Sequence, residues 1–477
     1  MKNMLSKTDF LVFLEAPMHL WALSQDKLQI KIHTPYEQHL IQQGQQVEEL
    51  ARVFIENILL TAYPDGQLLW QPTYDDGKFT IRADALIWDK NAGVYDLYEI
   101  KSSTSIHKKH EYDLTFQVLL LENILNLRGM SILHIDNTYQ QGEKLNLSDL
   151  FVIDELSEVV EKRREDVMNL RQQAWQVTQM MQPDSSFACT KPNSCPCPDL
   201  CHPNLPENPI YDIPYVGKKA HQLREMGIVD IHYIPSSLHF NEKQRKHIIA
   251  VQKDQALIDK CTIQEALSSL RYPLYFLDYE TFNPAIPLFP GYRPYEHIVF
   301  QYSLHKISKP GCEAAHFACL ITEKADPAPL IVPDLLKKLG SKGSVIVWNK
   351  YFEAGRNKDL MGHCPAYADL LEGINNRLFD LMQLFKDGLY VHPDFHGSAS
   401  LKAVLPVLCS QLSYQSLPIS NGEEAMLTWY WIQSGMLDPD ELAKTRSEML
   451  AYCELDTYAM VAILNQLQKI IGGKHES

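Results

Sequence analysis

The chain has 477 residues, enough for two or three domains at roughly 150 residues each. Its 45% hydrophobic and 22% charged residues exclude a mainly disordered, collagen-like or disulfide-stapled chain, and no apolar run approaches the roughly 20 residues of a membrane span. Lysine and arginine number 44 against 59 acids, a formal net charge of −15; that balance does not advertise nucleic-acid binding but allows local basic strips beside acidic metal sites. The opening residues lack a cationic-then-apolar signal, so the cytoplasm is the expected compartment and no membrane partner is expected.

In chain order, the spacing of Val47, Leu50, Ala51, Phe54 and Ile58 predicts an amphipathic helix over 44–60. Alternation predicts a strand over 78–88, a turn at 90–93 and a second strand over 94–102, together a hairpin. Helices are predicted over 111–128 and 154–182. Residues 183–215 are rich in Pro and Cys and read as an irregular, stapled segment. A small helical hairpin element follows Pro214, and a helix over 240–258 carries Lys243, Arg245, Lys246 and His247. A second α/β pattern then begins: strands over 272–279, 298–306 and 314–321, a helix over 333–339, a buried strand over 344–348 and a terminal helix over 449–470. No fixed-period repeat stands out.

The hairpin carries Asp84 on one strand and Glu99-Ile100-Lys101 on the other. Residues two apart on a strand share a face, so Glu99 and Lys101 stand together and pairing brings Asp84 beside them. Two carboxylates at a sheet end suit a divalent cation such as Mg²⁺, and a lysine there positions water or offsets transition-state charge. The alternative is a turn-proximal surface acid and a plain ion pair. The order Asp84, then Glu99-Ile100-Lys101-Ser102-Ser103, then Asp113 and Gln117 resembles the PD-(D/E)XK nucleases, in particular the RecB-like family that includes the CRISPR-associated exonucleases. That resemblance implies Asp84 and Glu99 as metal ligands, Lys101 as the catalytic lysine and Gln117 as a substrate-positioning residue. Leu121 stands where the family often has Tyr, and Glu48 is the nearest candidate for a further ligand from the opening helix.

Four of the ten cysteines, Cys189, Cys195, Cys197 and Cys201, fall within thirteen residues. So dense a set reads as metal ligands, for zinc or an iron–sulfur cluster. RecB-like nucleases often hold a 4Fe–4S cluster with one Cys from the first helix and three after the core. Here Ala16 stands at the first of these positions, and Cys197 is inferred to supply the fourth ligand, with Zn²⁺ the alternative cofactor. The remaining cysteines are scattered and read as core residues.

In the last region, Asp278 and Glu280 end an apolar strand on one side. Glu353 follows the buried strand over 344–348, and Tyr452 and Asp456 share a face of the terminal helix. Four acids gathered from two strand ends and a helix suit two divalent metals about 3.5–4 Å apart. Asp278-Tyr279-Glu280-Thr281, Asn349 to Glu353 and Tyr452-Cys453-Glu454-Leu455-Asp456 resemble, in this order, the motifs of DnaQ-like 3′–5′ exonucleases of the DEDD group, built on a ribonuclease-H-like fold. The resemblance implies metal binding by Asp278, Glu280, Glu353 (where most members have Asp) and Asp456, and orientation of the attacking water by Tyr452. Asp380 is expected to support the site rather than ligate.

The expected organisation is α/β: a RecB-like PD-(D/E)XK restriction-endonuclease-like domain with the Cys cluster over 1–205, a helical linker over 206–269 and a DnaQ-like, ribonuclease-H-like domain over 270–477. The two resemblances, in this combination, match a family of predicted bacterial two-domain nucleases. The expected function is a bifunctional nuclease using Mg²⁺ or Mn²⁺ at both sites on DNA with single-stranded character. The alternatives are a nucleic-acid-binding or scaffold protein with one or both sites inactive, and a ribonuclease. Lys108, Lys109, Lys218, Lys219, Lys243, Arg245 and Lys246 are candidate phosphate contacts.

Overall fold

Along the strand Val94–Lys101 the side chains sort by alternation: Leu97 enters one hydrophobic cluster while Tyr98 and Ile100 enter another. Glu99 and Lys101 therefore stand on the Leu97 face. A computed structural model describes residues 4–28 and 33–472, and its fold is a mixed α/β arrangement of helices and several sheets. The chain falls into two units. The first runs to Asn204 and takes in Pro284–Tyr295; the second comprises Leu205–Asn283 and the chain from Glu296 onward.

The first unit is built on a five-stranded sheet in the order Gln67–Trp70, Ala85–Asp89, Val94–Lys101, Leu127–Ile135, Phe151–Glu155. Val94–Lys101 and Leu127–Ile135 pair parallel and the other neighbours antiparallel. The helix Pro35–Asn57, started by a capping box between Thr34 and Glu37, lays Val47, Ala51, Phe54 and Ile55 against Tyr98 and Ile100. On the opposite face, Lys108–Leu121 and Ser157–Gln179 share a cluster with Leu97 and Ile132. Each such apolar side chain contributes about 1.5–3 kcal/mol of burial, so the sheet is clamped from both sides.

Three expected elements of this unit differ. The helix expected over 44–60 is Pro35–Asn57, begun nine residues earlier at the Thr34 cap. The strand expected over 78–88 is two strands, Phe79–Arg82 and Ala85–Asp89, in different sheets. The break falls at Ala83 and Asp84 because their backbone pairs with the Gln71-Pro72 corner: Ala83 N–H donates to the Pro72 carbonyl and Gln71 N–H to that of Asp84. The helix expected over 111–128 is Lys108–Leu121, since residues from Leu127 onward leave to pair with Val94–Lys101.

In the second unit the sheet order is Ala315–Leu320, Ile298–Ile307, Leu274–Phe282, Ser344–Val347, Leu378–Asp380. The first three strands run antiparallel; the last two are parallel to Leu274–Phe282. Tyr275, Leu277 and Tyr279 pack against Ala328–Leu339 and its neighbours. The other face meets the long helix Pro439–Gly472: Gln301 Nε2 donates to the Met449 carbonyl, and Ser303 and His305 hydrogen-bond Thr457. Asp278 is in register with Ser303 and Glu280 with Gln301, so both acids lie on the helix-covered face. The stretch 206–269, expected as a linker, belongs to this unit. It has its own core of Ile210, Ile213, Leu223, Ile231 and Val251, and Leu257–Ile258 pairs with Tyr390–Val391.

Candidate metal centres

In the first unit, Asp84 sits at the strand break and accepts the Ile100 N–H on Oδ2 at 2.9 Å, which fixes its carboxylate beside Glu99. Glu99 is 1% exposed and is approached by two ammoniums, Lys101 at 2.8 Å and Lys7 at 2.9 Å. Lys7 also lies 3.6 Å from Asp84. Burial works to raise the Glu99 pKa, and Lys101 and Lys7 outweigh it, holding the carboxyl well below the usual range. Asp84 goes the other way: burial and the Glu99 charge push it up to about 8. Lys101 is held above its ordinary value: burial, which opposes the charge, is overcome by Glu99 and Asp113, the latter at 2.6 Å.

Gln117, expected at the substrate, is fully buried and donates Nε2 to Glu99 at 2.7 Å and Asp113 at 3.2 Å. Its contacts orient carboxylates, because the helix face that carries it points into the core. Glu48 stands one residue removed, hydrogen-bonded to the Gln71 side chain. Lys7 escaped the sequence reading; its one local signal is the capping box of Ser6 and Asp9, which starts a helix at Lys7.

The second unit brings together all five residues singled out there. Asp278 and Glu280 project from the strand Leu274–Phe282, which runs past the end expected at 279, Glu353 lies in the first turn of Lys350–His363, and Tyr452 and Asp456 come from the long helix. Glu353 is 2% exposed, and its Oε2 has no hydrogen-bond partner among the described residues. Burial, then the Asp278 and Glu280 charges, raise the Glu353 pKa well above normal. Asp278 is raised by burial and Asp456, and Glu280 by burial, Asp278 and Asp456. Asp456 is pushed up to about 6 by burial, with hydrogen bonding from Tyr414 opposing. Lys402 and Arg356 offset part of the shared charge.

Tyr452 is held in its protonated form by burial and by the Glu280 and Asp456 charges. Asp380 accepts the N–H groups of Lys350 and Gln383, a capping role. Two further residues join the centre. Tyr414 hydrogen-bonds Asp456, and the Cys453 thiol is 3.7 Å from Asp278. Asp278, Glu280 and Cys453 offer donor atoms all within 4.8 Å of one another. The sequence signal for Cys453 is its place inside the Tyr452-to-Asp456 motif; Tyr414 has none.

The third cluster departs from expectation in one ligand. His19, Cys189, Cys195 and Cys201 place their donor atoms within 4.8 Å of one another, a geometry that suits a metal ion. Cys197, expected as the fourth ligand, lies 3.7 Å from the Cys201 sulfur but outside that set. The short helix Pro198–Cys201 accounts for that contact: Cys197 caps its start and Cys201 ends it, one turn apart on the same side. His19 reaches Cys195 at 3.5 Å from the helix Pro17–Ser24. None of the cysteines is in a disulfide. Burial pushes the Cys195 thiol up to about 12.

Several lysines expected to meet phosphates have protein partners. Lys109 pairs with Glu15, Lys243 with Asp387, and Lys219 and Lys246 donate to the carbonyls of His239 and Gly388. Among the described residues, no helix is long and apolar enough to cross a membrane.

A family described as "Domain of unknown function (DUF2779)" matches residues 275–400, a stretch that holds Asp278, Glu280 and Glu353 but not Tyr452 or Asp456. The uncharacterized protein MG366 homolog of Mycoplasma pneumoniae is 27% identical over 206 residues, 39% of this chain and 31% of that protein. The uncharacterized protein MG366 of Mycoplasma genitalium is 26% identical over 214 residues, 41% and 32% of the two lengths. The chain thus spans about a third of the length of these relatives. No solved structure matches.

Proposed function

We propose that this protein is a metal-dependent nuclease with two centres, acting on DNA with single-stranded character. The observation that carries the proposal is the mutual closeness of Asp278 and Glu280 from one strand and Glu353 and Asp456 from two helices, with a buried carboxylate oxygen of Glu353 left without a partner among the described residues. Like charges so placed repel unless protons or cations compensate them. The strand order of the second unit, with Asp278 and Glu280 on its middle strand, supports reading it as ribonuclease-H-like and DnaQ-like. In the first unit, Asp84 and Glu99-x-Lys101 on adjoining strands, followed by the helix bearing Gln117, support the PD-(D/E)XK reading. The preference for DNA over RNA rests on the resemblance.

Asp278, Glu280, Glu353 and Asp456 would hold Mg²⁺ or Mn²⁺ in one centre, and Asp84 and Glu99 in the other; such ions lower the pKa of bound water and offset phosphate charge. The protein groups have separable tasks. Tyr452, kept protonated, donates a hydrogen bond and orients the attacking water. Lys101, kept charged, stabilises negative charge on the phosphate and does not act as a base. Gln117 fixes the Glu99 carboxylate.

The His19, Cys189, Cys195, Cys201 set braces the first unit. Three thiolates and one imidazole form a common structural zinc set, whereas 4Fe–4S clusters are ordinarily held by four thiolates. We therefore read the metal as zinc, with 4Fe–4S the reading that the resemblance alone would give. A second reading applies to the first centre: Lys7, placed between Asp84 and Glu99, favours binding without cleavage there. Digestion of labelled DNA and RNA strands with Asp278→Asn and Lys101→Ala, singly and together, tests the proposal.

A further inference from the structure

The second unit contains a cavity of about 410 Å³ whose lining includes none of the carboxylates assigned above. Phe385, Tyr390 and Phe395 line it, their ring centroids 5.7–5.9 Å apart. At its mouth stands Tyr215, 80% exposed, with a backbone φ of 52° that non-glycine residues seldom adopt. That conformation is held from beneath: the buried Gln244 donates Nε2 to the carbonyls of Pro214 at 3.0 Å and Tyr215 at 3.3 Å. A large ring is thus fixed in solvent by a buried amide. Lys243 and Lys386 share the lining, and His247, 2% exposed, keeps Nε2 without a hydrogen-bond partner among the described residues.

A concave site with aromatic rings in its wall and a few convergent polar groups is the form of a small-ligand pocket, and this volume lies within the usual range of roughly 300–1,000 Å³. Its chemistry has two ends. Tyr215 offers a flat face for stacking, which accepts any base. Lys386 and Lys243, the latter paired with Asp387 at 2.9 Å and able to exchange that carboxylate for a phosphate, favour an anion on a chain whose net charge is −15. The lining residues Ala399 and Ser400 lead along the chain to Lys402 beside the carboxylate centre. The Ala399 carbonyl accepts Trp348 Nε1, Ser400 caps the helix Leu401–Leu408, and Lys402 of that helix stands 5.9 Å from the Tyr452 ring.

We propose that this cavity binds a nucleotide, with its base stacked on Tyr215 and its phosphate held by Lys243 and Lys386. The proposal rests on the nuclease reading in one respect: a nucleotide within a single strand is the expected source. A free mononucleotide presents the same ring and phosphate.

The test is binding of fluorescein-labelled oligothymidylate to the full chain in EDTA, where no cleavage interferes, with thymidine monophosphate as competitor. Tyr215→Ala and the double variant Lys243→Ala/Lys386→Ala are expected each to weaken binding on the order of tenfold, and Tyr215→Phe to retain it. Displacement by the monophosphate names the free nucleotide as a ligand, and no displacement names the strand; both support the site. Unchanged affinity in both variants, or no binding of either probe by the wild type, overturns it. The nuclease reading fails separately, through cleavage: metal-dependent digestion with Tyr215-independent binding sinks this proposal alone. Tyr215-dependent binding without digestion sinks the other.

Discussion

Lys7 Nζ lies 2.9 Å from Glu99 and 3.6 Å from Asp84, so an ammonium from the start of the first helix stands between the two carboxylates read as cation ligands. A unit charge at about 4 Å interacts by roughly 4 kcal/mol at a surface-like dielectric, before screening. Lys7→Ala is therefore expected to tighten Mn²⁺ binding at this centre about tenfold or more, measured by calorimetry in an Asp278→Asn background. Weaker binding in the variant would make Lys7 a support for the carboxylates and not a competitor for their ligand.

The second centre carries the opposite imbalance. Burial and mutual repulsion hold Asp278, Glu280 and Glu353 above the usual carboxylate range, so near neutral pH their charged forms oppose the fold. Glu353→Gln is expected to raise the melting temperature of the metal-free protein and to reduce the further rise on adding Mn²⁺. A variant that melts lower and keeps the full Mn²⁺ response would remove Glu353 from the centre.

For the thiolate cluster, metal analysis of the purified protein is expected to find bound zinc that is lost in His19→Ala and Cys195→Ser but kept in Cys197→Ser. Broad visible absorption with bound iron in anaerobically prepared protein would return the reading to an iron–sulfur cluster. Loss of metal in Cys197→Ser, with retention in His19→Ala, would restore the ligand set expected from the sequence.

Burial lowers the His247 pKa from 6.5 to about 4. A base whose folded pKa is depressed stays neutral in the fold while the unfolded chain takes up a proton. Its contribution to stability is therefore present above pH 6.5 and is lost as the pH falls toward 4. Going from pH 7.5 to 5, the stability gap between wild type and His247→Gln is expected to narrow by about 2 kcal/mol, read from urea unfolding. A constant gap would place a charged imidazole in the native state.

Much of both centres is legible in the sequence because the groups interrupt apolar strands, where an acid is conspicuous. Asp278, Glu280 and Glu99 are of this kind, and the spacing of Tyr452 and Asp456 shows their shared helix face. What stays hidden depends on contacts made across long stretches of chain. Lys7 meets Glu99 across 92 residues and His19 meets Cys195 across 176, and no local pattern encodes either meeting. Cys197 stands beside the set, its sulfur 3.7 Å from that of Cys201, while the donor atoms within 4.8 Å of one another include His19, which closeness in sequence does not reveal. The continuous strand expected over 78–88 fails similarly, because the break at Asp84 is set by pairing with the Gln71-Pro72 corner, which alternation does not reveal.

The central claim is that buried acids in each unit serve metal-dependent hydrolysis of a phosphodiester strand. It is tested most directly by incubating 5′-labelled single-stranded DNA with wild type, Asp278→Asn, Lys101→Ala and the double variant, in Mg²⁺ or Mn²⁺ and in EDTA. The expected result is shortening from the 3′ end that EDTA abolishes, that Asp278→Asn reduces by at least about a hundredfold, and that is absent in the double variant. Undiminished digestion by the double variant, or an intact strand with wild type in both metals, contradicts it.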